Sequence, residues 1–116
     1  EGPAGISARA HEPLVEGMIL SNEPGYYEEG SHGIRIENLI QVKKAPEPFA
    51  DGRDRYYFET ISLVPFDRSL MVADMLEADE LTWINEYHQQ VYDEISVSLN
   101  DDEGTLAWLK SVTAPL

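Results

Sequence analysis

From Ile34 to Val42 apolar and polar side chains alternate, reading IRIENLIQV. A period of two marks a strand, because successive side chains point to opposite faces. Ile34, Ile36, Ile40 and Val42 fall on one face, and Arg35, Glu37 and Leu39 on the other. Upstream, Met18-Ile19-Leu20-Ser21 reads as a short buried strand, followed by the turn signal Pro24-Gly25. Joined by the Pro24–Gly33 loop, these two strands are expected to pair antiparallel, with Glu28-Glu29-Gly30 as a polar tip. A third strand is expected over Tyr56–Pro65, rich in aromatic and β-branched residues and closed by a proline that cannot donate to a ladder. The Pro- and charge-rich stretch Ala45–Arg55 before it reads as an exposed hairpin loop.

Beyond Ser69–Leu76, which reads as apolar and turn-like, a short extended linker, the period becomes helical. Leu81, Ile84, His88, Val91 and Ile95 follow at spacings of three and four, predicting one helix from about Ala78 to Leu99. Asp79 and Glu80 suit the positive end of its dipole. His88 on this stripe is expected to be a satisfied core or interface histidine, with Trp83 and Tyr87 packing beside it. Asn100-Asp101-Asp102 breaks the helix and offers caps for a second, running to about Val112. Leu106 and Leu109 face its core side, with Trp108 alongside. Several antiparallel strands followed by two helices predict an α+β fold.

Composition narrows the class. The 116 residues are 42% hydrophobic and 26% charged, values of a globular chain rather than a disordered one. No apolar run nears the ~18 residues a membrane span needs. Zero cysteines exclude disulfides and thiolate metal sites, which suits a cytoplasmic location. A net charge of −14 repels phosphate backbones and argues against nucleic-acid binding. The start at Glu1-Gly2-Pro3, with no initiator Met, reads as part of a longer protein. The Gly- and Pro-rich Glu1–Ala10 reads as a loop leading into an extended piece.

The candidate chemistry lies in two acidic residues. Strand pairing would bring Glu23 and Glu37, 14 positions apart, close together. Like charges held that close repel unless one is protonated or a cation lies between them, and a divalent metal is the hard cation that carboxylates prefer. The alternative is plain: a Glu before Pro-Gly is usually a solvated turn residue, and a strand Glu usually faces water. Arg35, two residues from Glu37 on the same face, either orients a carboxylate or forms an ordinary cross-strand salt bridge. The pair Tyr26-Tyr27 reads as packing, His11 as an exposed loop residue, and His32 as a lone histidine rather than a ligand. No hydroxyl–imidazole–carboxylate set, phosphate-binding glycine loop or CxxC pair offers a rival chemistry.

The text EPGYY followed by GIRIEN resembles the metal-binding end of Xaa-Pro aminopeptidases (aminopeptidase P). These are pita-bread metallopeptidases, together with prolidase, methionine aminopeptidase and creatinase. WINEYHQQV and WLKSVTAPL resemble the C-terminal extension of the larger aminopeptidases P, which prolidases generally lack. The resemblance implies the C-terminal part of the catalytic domain, about half of a pita-bread fold. Residues 1–66 would form its sheet region and 67–116 its helical extension. It implies two divalent metal ions, manganese first and zinc or cobalt next, held by five ligands. Two Asp and a His would lie upstream of Glu1, as would a substrate-contacting histidine. Glu23 would bind one ion and share general-base work, and Glu37 would bridge both. Tyr27 and Arg35 would support the centre, and His32 stands where relatives more often carry an aromatic. A metal-bridging hydroxide would attack the bond before proline and release the N-terminal residue of a peptide with proline second. A cytoplasmic homodimer without nucleic-acid or membrane partners is implied, and the 116 residues alone are expected to be inactive. The alternatives are a prolidase-type dipeptidase and a non-catalytic binding module that keeps the fold.

Overall fold

A computed structural model describes residues 4–7 and 9–116. The loop read over Glu1–Ala10 therefore lies partly outside the described residues; within them, 4–7 and 9–10 carry neither helix nor strand. The chain divides into two compact units, Glu1–Ser62 and Leu63–Leu116.

The first unit contains β1 (Ile19–Asn22), β2 (Gly25–Glu28), β3 (His32–Arg35), β4 (Asn38–Lys44) and β5 (Tyr56–Thr60). β1, β4 and β5 form an antiparallel sheet in the order β1-β4-β5, and β2 pairs with β3. The Pro24–Gly33 stretch is thus not an open loop but a second pair of strands. Its register continues that of the first: Asn22 opposes Asn38, and Gly25 opposes Arg35. The result is one long antiparallel ribbon with a break at Glu23-Pro24 and Ile36-Glu37.

Proline explains the break. Ile36 N donates to Pro24 O at 3.1 Å, but Pro24 has no N–H to return the bond. The tip turns at Glu29-Gly30-Ser31, where Gly30 has φ 74° and Ser31 N donates to Glu28 O. That φ suits a residue without a Cβ.

Leu20, Ile40 and Val42 form the core of this unit, with Ala4, Leu14 and Met18 packed against them. Asn38, Ile40 and Val42 of β4 are therefore buried, as the alternation predicts. Ile34 and Ile36, of the same parity, are exposed, and so are Tyr56, Tyr57 and Phe58 of β5. The third strand stops at Thr60 rather than Pro65, because a side chain takes over the ladder: Leu39 N donates to Ser62 Oγ at 2.9 Å.

The second unit begins with an extended segment and contains α1 (Ala78–Ser96) and α2 (Glu103–Val112). Two 3-10 turns, Arg68–Leu70 and Ala73–Met75, replace the expected extended linker. Asp67 nucleates the first by accepting from Ser69 N (2.9 Å) and Ser69 Oγ (2.6 Å). The same bonds hold its carboxyl below the usual carboxylate range. A capping box starts α1, with Glu77 N donating to Glu80 Oε2. The helix ends three residues before the predicted Leu99, which closes a tight turn with its N–H on Ser96 O. Asp102 caps α2 by accepting from Thr105 N and Oγ1.

Tyr87, Val91 and Leu109 are the core here, with Phe66, Leu63, Tyr92 and Ile95 against them. Trp83 stacks flat on Tyr87, centroids 5.6 Å apart, while remaining half exposed. The expectation of a satisfied His88 needs correction. Its Nε2 accepts from Phe66 N at 3.1 Å, but its buried Nδ1 has no hydrogen-bond partner among the described residues. Desolvation, then the charge of Arg68, lowers the pKa of this fully buried ring below its ordinary value.

Candidate active site

Strand parity decides which side chains meet. The bonds from Val42 N to Met18 O and from Ile36 N to Pro24 O put the hydrogen-bonded pairs of the ribbon at even positions. Continuing the register, Glu23 stands opposite Glu37 at a non-hydrogen-bonded position, where opposed Cα atoms are only about 4.5 Å apart. Ser21, Glu23, Gly25 and Tyr27 share that face with Gly33, Arg35 and Glu37.

Arg35 lies at the centre. Its Nη1 is 3.3 Å from Glu23 Oε2 and 3.3 Å from Glu37 Oε2, and its Nε donates to Tyr27 Oη at 3.0 Å. All four candidate residues, Glu23, Tyr27, Arg35 and Glu37, are therefore in one hydrogen-bonded cluster. The cation between the two carboxylates is a guanidinium. Its hydrogen bond with Tyr27 first, then those with Glu37 and the field of Glu23, raise its pKa above the ordinary arginine value.

Two features were missed in the sequence although parity could have located them. The first is a cradle under Tyr27. A Cβ at Gly25 would stand 2.6 Å from Tyr27 Oη, and one at Gly33 would stand 2.8 Å from its ring. Only residues lacking a side chain let the ring lie flat on the ribbon and bring its hydroxyl to Arg35. The second is Ser21, whose Oγ donates to Glu23 Oε1 at 2.7 Å. On the opposite face, His32 stays exposed, with Nδ1 2.9 Å from Ser31 Oγ and its ring 6.0 Å from that of Tyr26. His11 is exposed in an irregular segment.

Stability does not account for the cluster. The side chains of Arg35, Glu23 and Glu37 are 48%, 36% and 44% exposed, and ion pairs so placed contribute about 0–1 kcal/mol. Two opposed carboxylates and two strand glycines cost stability instead. Carboxylate oxygens are the donors that hard divalent cations prefer, so the Glu23 and Glu37 side chains fit such an ion chemically. Among the described residues no group of three or more His, Asp or Glu is gathered to hold a metal by itself. The cluster supplies part of a ligand set.

Comparison with known proteins bears on the same residues. The model of metallopeptidase family M24 matches residues 1–44, and that of the C-terminal region of peptidase M24 matches residues 54–116. A probable Xaa-Pro aminopeptidase P of Coprinopsis cinerea is 42% identical over 120 residues, covering 100% of this chain and 19% of that protein. One of Arthroderma gypseum is 44% identical over 120 residues, with the same two coverages. The X-prolyl aminopeptidase of Caenorhabditis elegans, described as a cytosolic enzyme with a dinuclear active site, matches in structure with a TM-score of 0.84 and 31% identity. It too is covered over 19% of its length, against 100% of this chain. The chain thus spans about a fifth of the relatives it matches. The antiparallel strands and helices agree with the α+β arrangement expected of a pita-bread enzyme. By the match of its helical region, supported by the residues that build the ribbon, the chain belongs to the M24 metallopeptidases.

Proposed function

We propose that this protein acts as a metal-dependent aminopeptidase that releases the N-terminal residue from peptides with proline in second place. The observation that carries the reading is the pair Glu23 and Glu37, opposed on one face of the ribbon and tied together by Arg35. Relatives named as Xaa-Pro aminopeptidases P, alike over the whole of this chain, support the substrate class. The dinuclear centre of the nematode enzyme supports two divalent ions, for which manganese is the first choice and zinc or cobalt the alternatives.

Glu23 and Glu37 would hold the ions, Glu37 shared between both. Bound, the ions would supply Lewis-acid polarisation of a peptide carbonyl and lower the pKa of water. Glu23 would also share the general-base work. Arg35 would aim both carboxylates at the same point, and Tyr27 would fix the guanidinium from the other side. The helical region 67–116 is the C-terminal extension by this reading, and a cytosolic homodimer the working state.

The experiment is hydrolysis by the full-length protein with added manganese, comparing Xaa-Pro-Yaa tripeptides, Xaa-Pro dipeptides and Xaa-Ala-Yaa tripeptides. Release of the first residue from the proline tripeptide, abolished by a chelator, is expected. Cleavage confined to the dipeptide would make it a prolidase. No metal-dependent cleavage of any of the three would make it a binding module. Two carboxylates are too few for two ions that each need about six ligands. The 116 residues alone should therefore be inactive, and turnover matching the full-length protein would refute that.

A further inference from the structure

We propose that Ser21 is a positioning residue for Glu23, fixing the orientation in which that carboxylate meets a divalent ion. The proposal rests on the reading of Glu23 as a metal ligand. Its Oε1 accepts from Ser21 Oγ at 2.7 Å, and its Oε2 lies 3.3 Å from Arg35 Nη1. Each oxygen therefore has its own polar partner, and the plane of the carboxylate cannot turn without breaking one of them.

Ser21 is well placed for this. It lies two residues before Glu23 on the same face, opposite Leu39 in the β1–β4 register and only partly exposed. Ser21, Glu23, Ile19 and Leu39 line one cavity of about 440 Å³. Ile19 and Leu39 flank the hydroxyl on this face, and the bond it makes is to the carboxylate. As a contribution to folding the bond is minor, because Glu23 is exposed enough for water to replace the hydroxyl. Its effect is on direction. Hydrogen-bond partners behind a metal ligand typically alter metal affinity about 10–100-fold when removed.

The test is a manganese titration of the full-length protein, reading free Mn²⁺ by its electron paramagnetic resonance signal, with thermal melting of the metal-free protein alongside. Ser21→Ala should weaken binding of one ion about tenfold or more while melting stays unchanged. Ser21→Thr, which keeps the hydroxyl, should bind nearly as the parent does, and Glu23→Gln should lose the ion. Parent-like affinity in Ser21→Ala, with the ion lost in Glu23→Gln, would overturn the positioning role and leave the ligand reading intact. Full binding in Glu23→Gln would overturn both. A Ser21→Thr protein that recovers melting lost in Ser21→Ala, but not affinity, would show a structural role and overturn the proposal as well.

Discussion

The two units put their polar side chains to opposite uses. In the ribbon, Ser21, Glu23, Tyr27, Arg35 and Glu37 turn away from the small core of Leu20, Ile40 and Val42 and bond one another on an exposed face. In the helical unit, polar groups turn inward and bond the main chain. Tyr87 Oη accepts from Val64 N and donates to Val64 O, His88 accepts from Phe66 N, and Arg68 donates to Ser111 O and Pro115 O. The side chains of α1 thus stand in for a neighbouring strand along Val64–Phe66. A side chain bonded to the protein's own backbone is committed to the architecture, whereas one held only by other exposed side chains can exchange its partner for an ion. The comparison separates chemistry from architecture.

It can be broken first at the carboxylates. Glu37→Gln or Glu23→Gln in the full-length protein should lower kcat/KM about 10³-fold, since a Lewis acid contributes several kcal/mol at the transition state. Melting of the metal-free protein should stay level or rise, because a like-charge pair has been relieved. A fall in melting temperature matching the loss of activity would mean that the ribbon's charges are architectural after all. Leu109→Ala is the mirror experiment. It empties a fully buried position beside Tyr87 and Val91 and should cost about 2–5 kcal/mol by denaturant titration. Stability unchanged by that truncation would remove the helical side of the comparison.

The cradle offers a smaller and sharper test. Gly33→Ala places a methyl 2.8 Å from the Tyr27 ring, and the ring must lift. Both Gly33→Ala and Tyr27→Phe remove the hydroxyl from Arg35 Nε, so they should reduce kcat/KM by similar amounts, about tenfold for one hydrogen bond to a charged group. Combining them should add little, because the second change removes a bond already lost. Fully additive losses in the double variant would show that the glycine acts by some route other than the tyrosine.

How much of this was legible depends on the range of the interaction that decides it. The opposition of Glu23 and Glu37 follows from local facts: two runs of strand-forming residues, one return, and alternation that keeps both acids on one side. The β2–β3 pair was hidden because Gly25, Gly30 and Gly33 look like loop, and strand propensity says nothing of a ring that needs bare backbone beneath it. The helical stripe was read correctly in kind, as Ile84, His88 and Val91 are buried. The 3-10 turn at Arg68–Leu70 depends on one carboxylate folding back onto Ser69, a bond that leaves no periodic trace. The incomplete bonding of His88 was unreadable for a different reason. Its partner, the N–H of Phe66, is 22 residues away, and no alternation encodes which backbone group a buried ring will find.

That histidine supplies the last and smallest prediction, and it lies wholly on the architectural side. In the folded protein the ring is neutral, because burial first and Arg68 second disfavour its charge, and because Nε2 must stay bare to accept from Phe66 N. In the unfolded chain it titrates near its ordinary value of 6.5. Above that pH neither state is protonated and its contribution to stability is complete. As pH falls through 6.5 the unfolded state takes a proton that the folded state refuses, so stability declines until the lowered folded pKa is reached. The slope attributable to this group approaches one proton per molecule. His88→Gln, whose amide oxygen can still accept from Phe66 N but does not titrate, should flatten that limb of the urea midpoint against pH. An unchanged limb in His88→Gln would mean that the ring is protonated in place and that the inward-facing side chains of this unit tolerate charge as readily as those of the ribbon.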